Sequence, residues 1–179
     1  MQKLLIVVDY QNDFVTGSLG FPRAVEIEGA VAEKIERYRK NGDCIIFTLD
    51  THGKNYLETL EGRRLPVPHC VRSTDGWRLY GRVAGLWREG DLCFEKDTFG
   101  SQELFDYLRE RGRLQPYESV ELCGVVTDIC VIANAVLAKT ALPQTTISVD
   151  AGGVASNDER RGEAALEVMR SLQIEILNG

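Results

Sequence analysis

No apolar run in the 179-residue chain approaches the roughly 20 residues needed to cross a bilayer. Basic residues are not in excess either: Lys and Arg total 21 against 27 Asp and Glu, a net charge of −6. Binding to a phosphate backbone leaves a basic footprint, so neither nucleic acid nor a membrane is expected as a partner. The opening MQKLLIVVDYQNDF lacks a charged n-region, a full h-region and a small-residue cleavage site, so it does not read as a secretory signal. Its short apolar run reads as a buried strand instead. The cysteines (Cys44, Cys70, Cys93, Cys123 and Cys130) are odd in number and show no framework spacing. Free thiols in a reducing cytoplasm are therefore expected, with the cytoplasm as the location. There is no internal repeat, linker or low-complexity segment. Imidazole chemistry is confined to His52 and His69.

What is present is a rhythm. Short, nearly continuous β-branched runs recur as LLIVVD (4–9), CIIFTLD (44–50), DLCFEK (91–96), SVELCGV (119–125), TTISVD (145–150) and QIEIL (173–177). Strands buried on both faces of a parallel sheet read this way. Helical patterns lie between most of them. AVEIEGAVAEKIERYRKNG places Val25, Val31, Ile35 and Tyr38 on one face and stops at Asn41-Gly42. SQELFDYLRERG has a Ser101 cap and stops at Gly112, and DICVIANAVLAKTAL runs to Pro143. A capping box of Ser156 and Glu159 opens the last helix. The expectation is an α/β fold: three α/β/α layers around a mainly parallel sheet of about six strands. One domain is expected over residues 1–179. Residues 51–90 interrupt the alternation as an insertion, expected to supply a metal site and a lid.

Ligands of open parallel sheets bind at the carboxyl ends of the strands. Those ends carry Asp9, Asp50 with His52, Glu95-Lys96, the GVVTDIC turn and Asp150. An acid, an acid with an imidazole, a lysine and a thiol thus meet at one edge by topology alone. Cys130 falls in the first turn of a helix that Thr127 or Asp128 would cap. The helix dipole favours a thiolate there, and free N–H groups can hold an oxyanion. Cys123 lies inside an apolar strand, where a cysteine acts as a small hydrophobe. Position alone does not separate Cys130 the nucleophile from Cys130 the buried structural thiol. A nucleophile needs a base, and Asp9 is the acceptor left at the strand ends, with Lys96 to keep it ionised or oriented. Asp50 and His52 alternate around Thr51, so both can face one site, and Pro66 and Pro68 stiffen the approach to His69. Two imidazoles with one or two carboxylates suit Zn²⁺, Fe²⁺ or Mn²⁺. Either Glu58 or Glu61 can be the fourth ligand.

With these residues in hand, the chain resembles the isochorismatase-like cysteine hydrolases and, among them, the nicotinamidases. The resemblance rests on VVDYQNDF (7–14), DTHGKNY (50–56), EGRRLPVPHC (61–70), FEKDTFGS (94–101) and GVVTDICV (124–131), in that order. It implies a catalytic trio of Asp9, Lys96 and Cys130, and a cis peptide between Val125 and Val126. It also implies an oxyanion hole from the amides of Val126 and Cys130. Phe14 matches a ring-stacking residue; Trp77 and Phe99 are further candidate walls, or ordinary core aromatics. Asp50, His52 and His69 match the family's metal set. Glu61 is favoured over Glu58 because it opens the block that leads to His69. The implied cofactor is one divalent ion, zinc first, with iron or manganese as alternatives. The implied reaction converts nicotinamide and water to nicotinate and ammonia through a thioester on Cys130, with pyrazinamide also cleaved, as a step in nicotinamide salvage toward NAD. Alternatives are a carbamoyl or ureido amidase, an isochorismatase, a non-catalytic binding member, or a redox protein using Cys123 and Cys130. The sequence is compatible with a homo-oligomer.

Overall fold

All six apolar runs become strands; the inner ones are largely buried, while the edge runs at 92–96 and 175–177 stay partly exposed. The computed structural model describes residues 1–179. In it β1 (Leu4–Val8), β2 (Cys44–Asp50), β3 (Leu92–Lys96), β4 (Ser119–Val125), β5 (Thr146–Ala155) and β6 (Glu175–Leu177) form one sheet. The order is β3-β2-β1-β4-β5-β6, and every neighbouring pair is parallel. β1 is buried along its whole length. Its side chains alternate between two cores, which is why the run is continuously apolar. Leu5 and Val7 pack with α1 (Asn12–Val15), α2 (Pro22–Glu26), α3 (Glu28–Lys40) and α5 (Gly81–Leu86). Leu4, Ile6 and Val8 pack with α6 (Gln102–Leu114), α7 (Ile132–Ala141) and α8 (Glu159–Ser171). The expected three layers and six parallel strands are what forms. No helix is long and apolar enough to cross a membrane.

The chain builds outward from β1 to β3, then restarts at β4 on the other side of β1. The strand order therefore reverses between β1 and β4, and a crevice opens at their carboxyl ends. Gly124 lets the two strands meet there. Its φ is +113°, and a Cβ at this position would lie 2.1 Å from the Val8 carbonyl oxygen. The insertion carries a 3₁₀ turn (Tyr56–Glu58), α4 (Leu60–Arg64) and α5. It is tied down by isolated bridges from His52 to Val71 and from Gln11 to Leu79, and by the Cys70 amide donating to Asp13 Oδ2 at 2.8 Å.

Four local expectations need correction. The helix expected over 24–42 breaks at Ile27, whose ψ of −2° ends α2 and starts α3; this buries Ala24 and Ile27 and leaves Val25 exposed. Gly112 does not stop α6. It lies against α7's end, where a Cβ would stand 2.4 Å from Leu142 Cδ2, so close helix packing explains the glycine. Neither Thr127 nor Asp128 caps a regular helix. Residues 127–131 form a π turn in which the Val131 amide reaches the Val126 carbonyl at 3.1 Å. Asp128 instead accepts the Ser156 hydroxyl, and Asp158 caps α8 by accepting the Arg161 amide at 3.2 Å. The Ser101 cap does form, accepting the Leu104 amide at 3.1 Å.

A buried ionic cluster pins α3 to the sheet. Lys34 Nζ lies 2.7 Å from Glu121 Oε1 and also contacts Asp150, while the Tyr38 hydroxyl donates to Glu121 Oε2 at 2.7 Å. Asp150, expected at a strand end, instead lies inside β5, which runs on to pair Val154 and Ala155 with β4, and it is committed to structure. Removing one partner from such a cluster leaves buried charge uncompensated, at about 3–5 kcal/mol. Lys34→Met is expected to lower unfolding stability by about that amount in a denaturant titration; a loss under about 1 kcal/mol would show that water already screens the cluster.

Candidate active site

Four strand ends converge on one ammonium. Lys96 Nζ lies 2.6 Å from Asp9 Oδ2, 3.4 Å from Asp50 Oδ1 and 3.5 Å from Cys130 Sγ. Asp9 follows β1 with φ of +45°, a left-handed conformation that Asp tolerates better than most residues. β2 holds it there. The Asp9 amide donates to the Thr48 carbonyl at 3.2 Å, and the Thr48 hydroxyl donates to Asp9 Oδ1 at 2.6 Å. Asp9 Oδ2 meets Lys96 as an ion pair without hydrogen-bond geometry, so it keeps the capacity to accept a proton. All four side chains are buried.

Burial dominates the proton affinities. It pushes the Asp9 carboxyl up against the pull of Lys96. It pushes the Cys130 thiol well up too, helped by Asp9 and opposed by Lys96. Burial also works against the Lys96 ammonium, but Asp9, Cys130 and Asp50 outweigh it and hold the proton more tightly than usual. Burial therefore opposes the thiolate that a helix dipole would favour. A dipole contributes at most about 2 kcal/mol, whereas desolvating a charge fully can cost about 4–7 kcal/mol.

Beside the trio, Asp50, His52 and His69 offer ligand atoms within 4.8 Å of one another. His69 Nδ1 faces the Val67 carbonyl at 2.8 Å. That contact selects the tautomer that leaves the Nε2 lone pair free. His69 Nε2 lies 3.2 Å and His52 Nε2 3.0 Å from Asp50 Oδ2. His52 Nε2 is buried without a hydrogen bond, an orphaned atom that a metal ion would satisfy. Glu61 Oε1, carried by α4, stands 3.8 and 3.7 Å from the two Nε2 atoms, while Glu58 is exposed. Two imidazoles and two carboxylates fit a divalent ion. Burial raises the Asp50 pKa, but His52, His69 and Lys96 together hold it below the usual carboxylate range.

Thiol and carboxylates open on one cavity of about 170 Å³. Phe14, Leu19, Phe21, Leu65, Phe99, Val126 and Ile129 form its apolar walls, and Cys130, Asp50, Glu61, His69 and Asn157 its polar ones. Drug-sized ligands take about 300–1,000 Å³, and about 150 Å³ accommodates a benzene ring. The cavity is thus matched to a single ring. A larger hollow of about 560 Å³ lies beside it, with charged and small polar walls that include neither the thiol nor a histidine. Trp77 requires correction: it does not line the ring-sized cavity. Its indole donates to Thr51 Oγ1 at 2.8 Å, and it lines a separate hollow with Leu79 and Trp87. The Val125–Val126 peptide is cis, as the resemblance implies, and the Val126 amide has no acceptor within the chain.

The sequence reading missed several residues that hold the site. Gln11 brackets Asp50, accepting its amide at 2.8 Å and donating to its carbonyl at 2.9 Å. Tyr56 packs on both imidazoles, with ring centroids 4.7 Å from His52 and 5.0 Å from His69, and its hydroxyl donates to the Leu65 carbonyl at 2.9 Å. Thr48 was visible only as one polar residue in an apolar strand.

The Isochorismatase domain family matches residues 3–178. The chain belongs to the isochorismatase family. Its structure is similar to that of the nicotinamidase/pyrazinamidase PncA from Bacillus subtilis, with 30% identity, a TM-score of 0.87, and 99% of this chain and 100% of that one covered. The pyrazinamidase of Pyrococcus horikoshii in complex with zinc is similar at 28% identity and a TM-score of 0.82, covering all of both chains. The nicotinamidase/pyrazinamidase of Mycobacterium tuberculosis is 28% identical, covering 98% of each chain. Within this isochorismatase frame, the position of Glu61 gives a direct test. Glu61→Gln is expected to weaken zinc binding by about 10–100-fold in a chelator competition, while Glu58→Gln leaves it unchanged. Equal effects of the two would remove Glu61 from the site.

Proposed function

We propose that the protein is a nicotinamidase, hydrolysing nicotinamide to nicotinate and ammonia and accepting pyrazinamide as well. One observation carries this reading: a thiol and a set of metal-competent donors open on the same ring-sized apolar cavity. The names of the similar proteins support it, and the zinc complex of the Pyrococcus horikoshii relative supports zinc ahead of iron or manganese. Asp50, His52, His69 and Glu61 would hold the ion, which when bound supplies a Lewis-acid position for the pyridine nitrogen. Phe14, whose ring centroid lies 5.5 Å from that of His69, and Phe99 flank the ring.

Because burial favours the protonated thiol, the first step is a proton transfer. Asp9 takes the Cys130 proton through Oδ2, and Lys96 stabilises the thiolate as it forms. The sulfur attacks the amide carbonyl. The amides of Val126 and Cys130 hold the resulting oxyanion. Asp9 returns its proton to the departing nitrogen, so ammonia leaves and a thioester remains. Asp9 then takes a proton from water, the hydroxide adds to the thioester carbon, the C–S bond breaks and Asp9 gives its proton to the sulfur; the acid released passes its own proton to ammonia, leaving nicotinate and ammonium. Carbon, nitrogen and protons balance with one water consumed. The product is the class of compound that feeds salvage toward NAD.

Purified protein is expected to release ammonia from nicotinamide, and Cys130→Ala to lower kcat by about 10³-fold or more. No ammonia from the metal-loaded protein would overturn the substrate; turnover surviving in Cys130→Ala would overturn the thioester. The pH dependence has a defined sign. Asp9 acts as base only when ionised, and burial raises its pKa above the ordinary carboxylate value of about 4. Activity is present above that raised value and lost as pH falls through it. The acid limb of kcat/KM is therefore expected above about pH 4, and a limb at or below that point would take the base role from Asp9.

A further inference from the structure

Asn134 lies on α7, one turn beyond Cys130, and is fully buried. Its amide is used on both sides. Oδ1 accepts the Ser101 amide at 3.0 Å, while Nδ2 donates to the Phe99 carbonyl at 3.1 Å and to the Cys130 carbonyl at 2.8 Å. All three partners are backbone groups, and they belong to two segments. One is the loop that leaves β3 after Lys96 and carries the Phe99 wall; the other is the turn that carries the thiol. Besides these, Lys96 Nζ reaches Cys130 Sγ at 3.5 Å from the root of the loop, and no backbone–backbone hydrogen bond joins the two segments. The loop is pressed onto α7 at Gly100, where a Cβ would stand 2.7 Å from Leu137 Cδ1. The Phe99 residue is 48% exposed, so core packing alone does not hold its ring. Its position depends on how its backbone is tied.

We propose that Asn134 is a positioning residue that sets the spacing between the Phe99 wall and Cys130, and so the alignment of the bound ring with the thiol. The alignment clause rests on the nicotinamidase reading; the tie itself does not. With Asn134 replaced, the loop and the nucleophile turn loosen together while the sheet does not.

Two measurements test this. Amide hydrogen exchange on Asn134→Ala is expected to rise in residues 97–101 and 127–131 together, with the strands as protected as before. This arm needs no substrate. Exchange unchanged in either segment, or raised throughout the sheet, would overturn the tie. The second arm is a cycle of wild type, Asn134→Ala, Phe99→Ala and the double variant on nicotinamide. Each single change is expected to raise KM by about tenfold, the order of one hydrogen bond or one aromatic contact. The double variant is expected to match Phe99→Ala, because both act on one wall. Effects on KM that multiply would overturn the alignment role. Wild type inert toward nicotinamide would count against the substrate reading, and the exchange arm would still decide the tie. If Asn134→Ala does not fold, Asn134→Thr enters both arms. Its hydroxyl can reach only the carbonyl four residues back, so it is expected to keep wild-type protection in 127–131 and lose it in 97–101. Wild-type protection in both segments would overturn the proposal.

Discussion

A single buried ammonium organises this structure. Lys96 is the only cation among Asp9, Asp50 and Cys130, and without it two carboxylates would lie buried side by side. Isolated buried charges are too costly to persist, so the lysine makes the cluster permissible at all. It also links two chemistries. Through Asp9 it reaches the thiol, and through Asp50 it reaches the imidazole pair. The ammonium, held more tightly protonated than usual, is a fixed charge rather than a proton carrier. In the proposed mechanism proton movement falls to Asp9 and Cys130, both of which burial shifts toward their neutral forms.

The parallel sheet brings these groups together because its order reverses between β1 and β4. Asp9 and Cys130 leave adjacent strands, and Asp50 and Lys96 leave the next two on one side. The insertion then closes the far end. His52 follows β2 directly, and the loop returns through Val71 to set His69 beside it. Tyr56 wedges against both rings and anchors the Leu65 wall. Apart from Asn157, the resulting cavity is polar only at the thiol and the candidate metal ligands, and the remaining walls are aliphatic or aromatic.

Some of this was legible in the chain and some was not, for physical reasons. Continuous apolar runs of strand length mean burial on both faces, so the parallel sheet could be read directly, and the polar residues that end those runs had to share an edge. Helix punctuation was less reliable. Gly112 signals a stop by propensity but serves close packing against Leu142, and Ser156 has the spacing of a cap but turns to Asp128. Trp77 looked like a wall because aromatics near a site are often walls. Only the folded loop shows its indole committed to Thr51.

The sequence by itself determined the residue types, the strand periodicity and the order in which acid, imidazole, lysine and thiol occur. These are local properties, written in side-chain chemistry and spacing. The tertiary structure decided which of two glutamates faces the histidines, because α4 turns Glu61 inward and leaves Glu58 in solvent. It also decided how strongly burial opposes the Cys130 thiolate. A dipole can be read from a helix start, but desolvation depends on everything packed around the sulfur, and here desolvation is the larger effect.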